Sequence, residues 1–289
     1  MEIVERLASD DGAVKLLLQL PDGHRVETVF LKLEDNNKDS LCVSSQVGCA
    51  LACQFCSTGK LGFKRNMTVA EMVDEVRVSL DTVGFVQTRR FDLSFMGMGE
   101  PMQNLRNVLA AKAELAVLYP RFNFHISTVG LPAKIRELAG KDPDFGLQIS
   151  LHAPTDEARS SILPINQTYP IHEVLEAGEY YAARSPKPVT LNYCFMSGVN
   201  DALEQARQLV ALVAGRPFKV QLVNFNPHPS LEFGPTRPER AEAFLQMLLD
   251  GGLRAHLGRQ LGADVGAGCG QLDADYEAGN FRRARKLPA

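Results

Sequence analysis

The chain has 289 residues, enough for one large or two small domains, each able to bury a core. Its 45% hydrophobic and 22% charged residues, with 23 Gly and 16 Pro, exclude disordered, collagen-like and disulfide-scaffold classes. Thirty-one Lys and Arg against 34 Asp and Glu give a net charge of −3, which argues against gripping nucleic acid by overall charge. No apolar run approaches the roughly 18 residues of a spanning helix, and the opening residues lack a basic n-region and an apolar h-region. The expectation is a cytoplasmic protein with no membrane contact.

Taken from the front, Val14–Leu20 and Arg25–Leu33 flank Pro21-Asp22-Gly23 and read as a hairpin. Strands rich in β-branched and aromatic residues follow at Leu41–Ser45, Phe91–Met96, Phe122–Thr128, Phe145–Leu151, Pro188–Phe195 and Phe218–Phe225. Between them amphipathic helices are expected at Thr68–Val83, Asn104–Leu118, Pro132–Ala139, Ile171–Ala183, Ala202–Ala214 and Pro238–Leu249, and Thr68 with Glu71 has capping-box spacing. Alternating strands and helices specify an α/β fold of six strand–helix units around a parallel sheet. A further strand, Leu253–Arg259, leads into a glycine-rich loop, Gly262–Gly270, and a basic tail, Arg282, Arg283, Arg285 and Lys286, reads as a solvated end. The organisation expected is an N-terminal hairpin extension over residues 1–38 and one α/β domain over 39–289.

Six cysteines are present, and four of them, Cys42, Cys49, Cys53 and Cys56, fall within fifteen residues. In a reducing compartment such a cluster points to metal binding or catalysis. Cys49-Ala-Leu-Ala-Cys53-Gln-Phe-Cys56 is a CxxxCxxC, and three is the informative count. Structural zinc and ordinary four-iron clusters take four protein ligands, so a trio either borrows a fourth or leaves one metal position open for a substrate. A zinc knuckle completed by Cys42 is the alternative.

CxxxCxxC after the first barrel strand, with Phe55 between its last two cysteines, resembles the radical S-adenosylmethionine (SAM) superfamily, and Gly97-Met98-Gly99-Glu100-Pro101 resembles its GGEP motif. Further stretches narrow the resemblance: Cys42-Val-Ser-Ser-Gln-Val-Gly-Cys49, Ser127-Thr128, Ser150-Leu-His-Ala-Pro154, Leu163-Pro-Ile-Asn166, Asn226-Pro227 and Cys269-Gly-Gln-Leu272. Together they look like the adenine-C2 rRNA/tRNA methyltransferases and their adenine-C8 antibiotic-resistance relatives, over about Arg25 to Leu272. The resemblance implies a partial (β/α)6 barrel, with Cys49, Cys53 and Cys56 holding a 4Fe-4S cluster. It implies SAM contacts from Gly99, Glu100, Ser127, Ser150, Leu151, His152 and Asn226, Glu100 accepting from the ammonium. Cys269 matches the cysteine that the family methylates, Cys42 the cysteine that resolves the adduct, and Glu27 the proton acceptor. Blander readings stand beside these: Cys42 or Cys269 as small core residues, Glu27 as an exposed strand carboxylate, His152 as a strand-end hydrogen-bonder. Gly266, Gly268 and Gly270 describe a flexible loop around Cys269, and Cys194 reads as buried.

An adenine carbon between two nitrogens is too electron-poor to attack a sulfonium methyl, which is why the resemblance implies a radical route using two SAM per turnover. One methylates Cys269; the other, cleaved on the cluster with an electron from a donor such as flavodoxin or ferredoxin, yields the radical that activates the S-methyl group. Addition to the base, attack by Cys42 and loss of the ring proton leave product and a Cys42–Cys269 disulfide. The family's small helical domain ahead of the hairpin is expected to be missing here. Asp264-Val-Gly266-Ala-Gly268 also departs from the family's acidic and alanine residues, a change expected to loosen the loop. Lys60, Lys64 and Arg65 are local basic residues able to meet phosphate. Three readings follow: methylation of an adenine carbon in RNA, the same chemistry on a small heteroaromatic molecule or nucleotide, and a non-catalytic iron–sulfur or zinc module. Cys42, Cys269 and Glu27 together speak against the third.

Overall fold

The computed structural model describes residues 1–34, 37–228, 230–268 and 270–272. In chain order the elements are β1 (Glu2–Ala8), β2 (Val14–Gln19), β3 (Arg25–Leu33), β4 (Lys38–Val43), β5 (Gln46–Gly48), α1 (Ser57–Lys60), β6 (Phe63–Asn66) and α2 (Val69–Thr82). Then come β7 (Arg90–Phe95), α3 (Leu105–Leu118), β8 (Phe122–Thr128), α4 (Pro132–Lys141), β9 (Gly146–Ser150), α5 (Asp156–Ile162) and α6 (Ile171–Ala182). The chain continues with β10 (Val189–Phe195), α7 (Leu203–Val213), β11 (Phe218–Asn224), α8 (Pro238–Asp250) and β12 (Ala255–Leu257).

A single 10-stranded sheet runs β1-β2-β3-β4-β7-β8-β9-β10-β11-β12. Its first pairings are antiparallel, and from β4 onward neighbours run parallel. The expected strand–helix units are all there, with one long helix over each crossover and the short α1 and α5 added before α2 and α6. Helix α2 begins at the expected capping box, with Glu71 N donating to Thr68 Oγ1 at 3.2 Å and Thr68 N to Glu71 Oε2 at 2.8 Å. Ahead of the parallel strands lies a three-strand meander instead of a bare hairpin, because β1 pairs with β2. The final strand is shorter than expected, Ala255–Leu257.

Along β8 the burial alternates strictly, Phe122, Phe124 and Ile126 turning into the core under the helices while Asn123, His125 and Ser127 face the other way. Register then fixes one common inner face: Glu27 pairs with Leu17, Cys42 with Val29 and with Ser94, Ser94 with His125, and Ser127 with Gln148. At the N-terminal ends of the barrel strands, Phe91, Phe122 and Tyr119 stack with centroids 4.0 and 4.6 Å apart and Phe85 packs edge-on to Phe122. This aromatic cluster packs the helix-facing side of the sheet near the N-terminal strand ends, and the chemistry lies at the C-terminal ends.

Candidate active site

Three segments converge at the C-terminal ends of the strands. The first is the cysteine loop, which runs from β5 to α1, so that a short ribbon strand separates β4 from Cys49. Its entry is fixed by Gly48, at φ +70, where any Cβ would fall 1.8 Å from the Gly62 carbonyl oxygen, and by Ala52 in the left-handed region at φ +50. Cys49 is buried, and Cys53 and Cys56 are half-buried. Burial first, and then the neighbouring thiols and Glu100, push the Cys49 thiol up to about 12 and Cys53 well above its ordinary range. Cys49 and Cys53 thus need bound positive charge to become thiolates, with Cys56 on the same loop three residues after Cys53. Among the described residues, no three His, Cys, Asp or Glu side chains close around a single-ion position, as a zinc knuckle with Cys42 requires. An iron–sulfur cluster ties each thiolate to a different iron, and the donor set fits that group.

The second segment is Gly97–Pro101. A Cβ on Gly97 would sit 2.7 Å from the Val43 carbonyl carbon, and one on Gly99, at φ +95, would sit 2.4 Å from Gln46 Cβ, so glycine is what lets this turn lie against β4 and β5. Glu100 is buried, its carboxylate accepting from Met102 N and Val129 N, both at 3.0 Å. Desolvation outweighs these bonds and lifts its carboxyl to about 7, which leaves it ready to gain from a cationic partner such as an ammonium.

The third is the group of strand ends at β8, β9, β10 and β11. Ser127 and Ser150 lie half-buried on the inner face. Leu151 and His152 both donate backbone N–H groups to the Asn192 carbonyl. His152 has φ +58, a conformation that costs a non-glycine residue about 1 kcal/mol or more. Its Nδ1 accepts from Cys194 N at 3.0 Å, its ring meets Phe55 edge-on at 4.9 Å, and burial lowers it to about 3, so it is a neutral imidazole protonated on Nε2. Cys194 is buried, as expected.

Behind these ends lies a residue that the sequence reading did not single out. Arg159, fully buried on α5, donates to the carbonyls of Leu151 at 3.1 Å and Ser150 at 2.9 Å, to that of Val129, and to Asn166 Oδ1 at 2.8 Å. Asn166 of the Leu163–Asn166 motif thus acts through this guanidinium, the one signal from which Arg159 was findable.

Glu27 is not an exposed strand carboxylate: it is fully buried, and its Oε1 lies 3.1 Å from Lys15 Nζ. Lys15 was also missed, being an unremarked strand position in the sequence. Its ammonium donates in turn to the Gly266 carbonyl at 2.9 Å, so β2, β3 and the glycine-rich loop meet at one cation. Cys42 lies half-buried on the same inner face as Glu27, and none of the described cysteines is in a disulfide.

Cys269 lies outside the described residues. Its neighbours are held closely: a Cβ on Gly268 would fall 1.9 Å from Asn226 Nδ2, and one on Gly270 would fall 2.6 Å from the Phe55 carbonyl oxygen. Ser57 N donates to the Gly270 carbonyl at 2.7 Å, Thr58 Oγ1 to the Leu272 carbonyl at 2.7 Å, and Gln271 Nε2 to the Pro227 carbonyl at 2.7 Å. The segment expected to be loose is pinned to the turn that carries Cys56. Of the basic trio, Arg65 is engaged by Asp22 and Glu71, both at 2.7 Å, and Lys60 by the Ser230 carbonyl.

Residues 43–210 match the Radical SAM superfamily. The chain is 40% identical over 280 residues to the dual-specificity RNA methyltransferase RlmN of Syntrophobacter fumaroxidans, covering 96% of this chain and 81% of that protein. With the dual-specificity RNA methyltransferase RlmN 2 of Myxococcus xanthus it shares 41% identity over 278 residues, 92% of this chain and 72% of that one. In three dimensions it is similar to a radical SAM methyltransferase from Sphaerobacter thermophilus, with TM-score 0.88 and 36% identity over 95% of this chain and 81% of that one.

Proposed function

The chain belongs to the radical SAM superfamily, among its methyltransferases, and from that premise we propose that it methylates an adenine ring carbon in RNA, C2 in preference to C8, through a methylated Cys269. The RNA substrate is carried over from the names of its relatives. One observation supports the methyl-carrier route above all: Gly268 and Gly270, on either side of Cys269 in sequence, pack against Asn226 and the Phe55–Cys56 backbone.

Cys49, Cys53 and Cys56 hold the cluster, and Gly99, Glu100, Ser127, Ser150, Leu151, His152 and Asn226 hold SAM. When bound, the cluster and two SAM per turnover supply the transferred methyl group and the one-electron chemistry, fed by a donor of flavodoxin or ferredoxin type. Glu100 binds the ammonium and gains by its ionisation. Arg159 fixes the carbonyls at the ends of β8 and β9 so that the SAM-facing groups keep their orientation. Glu27 receives the ring proton at a carboxylate oxygen, with the Lys15 ammonium 3.1 Å away as its counter-charge. Cys42, on the same inner face, forms a disulfide with Cys269 as the base is released, and an external thiol resets the pair.

Mass spectrometry of the anaerobically purified protein tests the reading. One added methyl on the peptide containing Cys269 is expected, together with methyladenosine in RNA treated with SAM and reductant. Cys42→Ala should trap a covalent protein–RNA adduct. An unmodified Cys269 after full incubation, or free product released by Cys42→Ala at the normal rate, overturns it.

A further inference from the structure

Between the β2–β3 turn and the β5–β6 ribbon lies a cavity of about 250 Å³, lined among others by His24, Arg25, Gly48, Leu61, Lys64 and Met98. None of the residues expected to contact SAM or the cluster lines it, so it is a separate site. Two of its walls nevertheless adjoin the chemistry: Gly48 precedes Cys49, and Met98 precedes Gly99 and Glu100.

Its charge is what singles it out. No lining side chain is acidic. Asp22, next to the turn, and Glu71 are both engaged by Arg65, whose bonds to Asp22 at 2.7 Å and to Glu71 at 2.7 Å tie the turn to the ribbon, while Glu27 is paired with Lys15 and Glu100 with the Met102 and Val129 amides. Among the described residues Arg25 and Lys64 have no ion-pair or hydrogen-bond partner for their charged groups, and Lys64 is exposed. The basic trio of the sequence is thereby sorted, with Arg65 and Lys60 occupied and only Lys64 offered to a ligand.

We propose that this cleft is a phosphate-binding subsite, in which Arg25 and Lys64, with His24 at the rim, grip the RNA backbone beside the base undergoing methylation. The inference rests on the RNA reading above and extends it to a location. Arg25 offers a planar fork suited to two phosphate oxygens and Lys64 a point charge, while the apolar floor of Leu61 and Met98 takes no part in charge recognition. A net charge of −3 makes such a local pair necessary, because the molecule as a whole does not attract a polyanion.

The test compares the cluster-loaded wild-type enzyme with Arg25→Ala/Lys64→Ala, using unmodified tRNA transcripts and, as a charge control, Lys141→Ala on the far helix α4. The double variant should raise KM for RNA about tenfold with kcat within about twofold. It should also lower the slope of log affinity against log salt by about 1 to 2, with iron content per chain unchanged. Lys141→Ala should move neither quantity. Wild-type-like KM and salt slope in the double variant overturn the subsite while leaving the RNA reading intact. A wild-type enzyme that neither binds nor methylates RNA, but methylates a free nucleotide, overturns both.

Discussion

Buried on α2, Glu75 accepts one hydrogen bond, from Ser44 N at 3.0 Å, and its Oε2 meets no partner. Burial holds its carboxyl well above the ordinary value. A carboxyl raised in the folded state favours the protonated form, so its share of stability is full below the unfolded value near 4.5 and is lost as pH climbs toward the folded one. Glu75→Gln keeps the shape and the neutrality. Thermal melts of the two proteins should differ least near pH 4, and the variant should gain on the parent from there up to pH 8; a constant gap across that range refutes the assignment. Glu27, equally buried, differs in having a cation at 3.1 Å. Neither environment was legible in the sequence, because partners such as Ser44 and Lys15 are set by register and packing. The cysteine spacing and the Gly97–Pro101 turn were legible because their chemistry is local.

At the scale of elements, two long side chains tie segments that sequence patterns treat as separate. Arg159 on the seven-residue α5 binds the ends of β8 and β9. Replacing it with Met strands several buried carbonyls, each costing about 1–3 kcal/mol, and should lower the melting temperature by roughly 10 °C; a loss under about 2 °C would show that the carbonyls find other donors. Lys15 spans 251 positions to reach Gly266. Lys15→Met should cut single-turnover methylation about tenfold and shift its pH profile upward, and Lys15→Arg should recover much of both; equal losses in the two variants would reduce Lys15 to packing alone. Helix α5 was missed because Asp156–Ile162 buries only Arg159 and Ile162, too few positions for a period. Strand β1 was missed because an edge strand that is mostly exposed carries no alternation. The parallel strands β7 to β11 were placed because each is rich in β-branched or aromatic residues and bounded by turn residues, whereas β4 runs Lys38–Val43 and not Leu41–Ser45.

For the molecule as a whole, the sheet divides labour between its ends. Phe85, Phe91, Tyr119 and Phe122 pack the helix-facing side near one end, whereas at the other the loops meet through main-chain hydrogen bonds around Phe55–Thr58. The loops at that end are tied to one another mainly by hydrogen bonds, so removing iron by chelation should lower the melting temperature by about 5 °C or more and make residues 49–62 and 226–272 exchange amide hydrogens faster, with the strand cores unchanged. Uniform faster exchange would instead mean that the cluster supports the entire fold.

The grip on the glycine-rich loop is made almost wholly on main-chain atoms. Asp11 takes the Gly262 amide at 2.7 Å, Lys15 the Gly266 carbonyl, Ser57 the Gly270 carbonyl and Thr58 the Leu272 carbonyl. A hold of this kind does not read side chains. Positions 263 and 264, both exposed, are therefore open to drift, whereas Val265 is buried and Gly266 sits at φ +64. Gly268 and Gly270 are not open in the same way, because there a single methyl group would strike Asn226 or the Phe55 carbonyl. The loop can thus be retuned to a different substrate by ordinary substitution without giving up its seat over the cysteines.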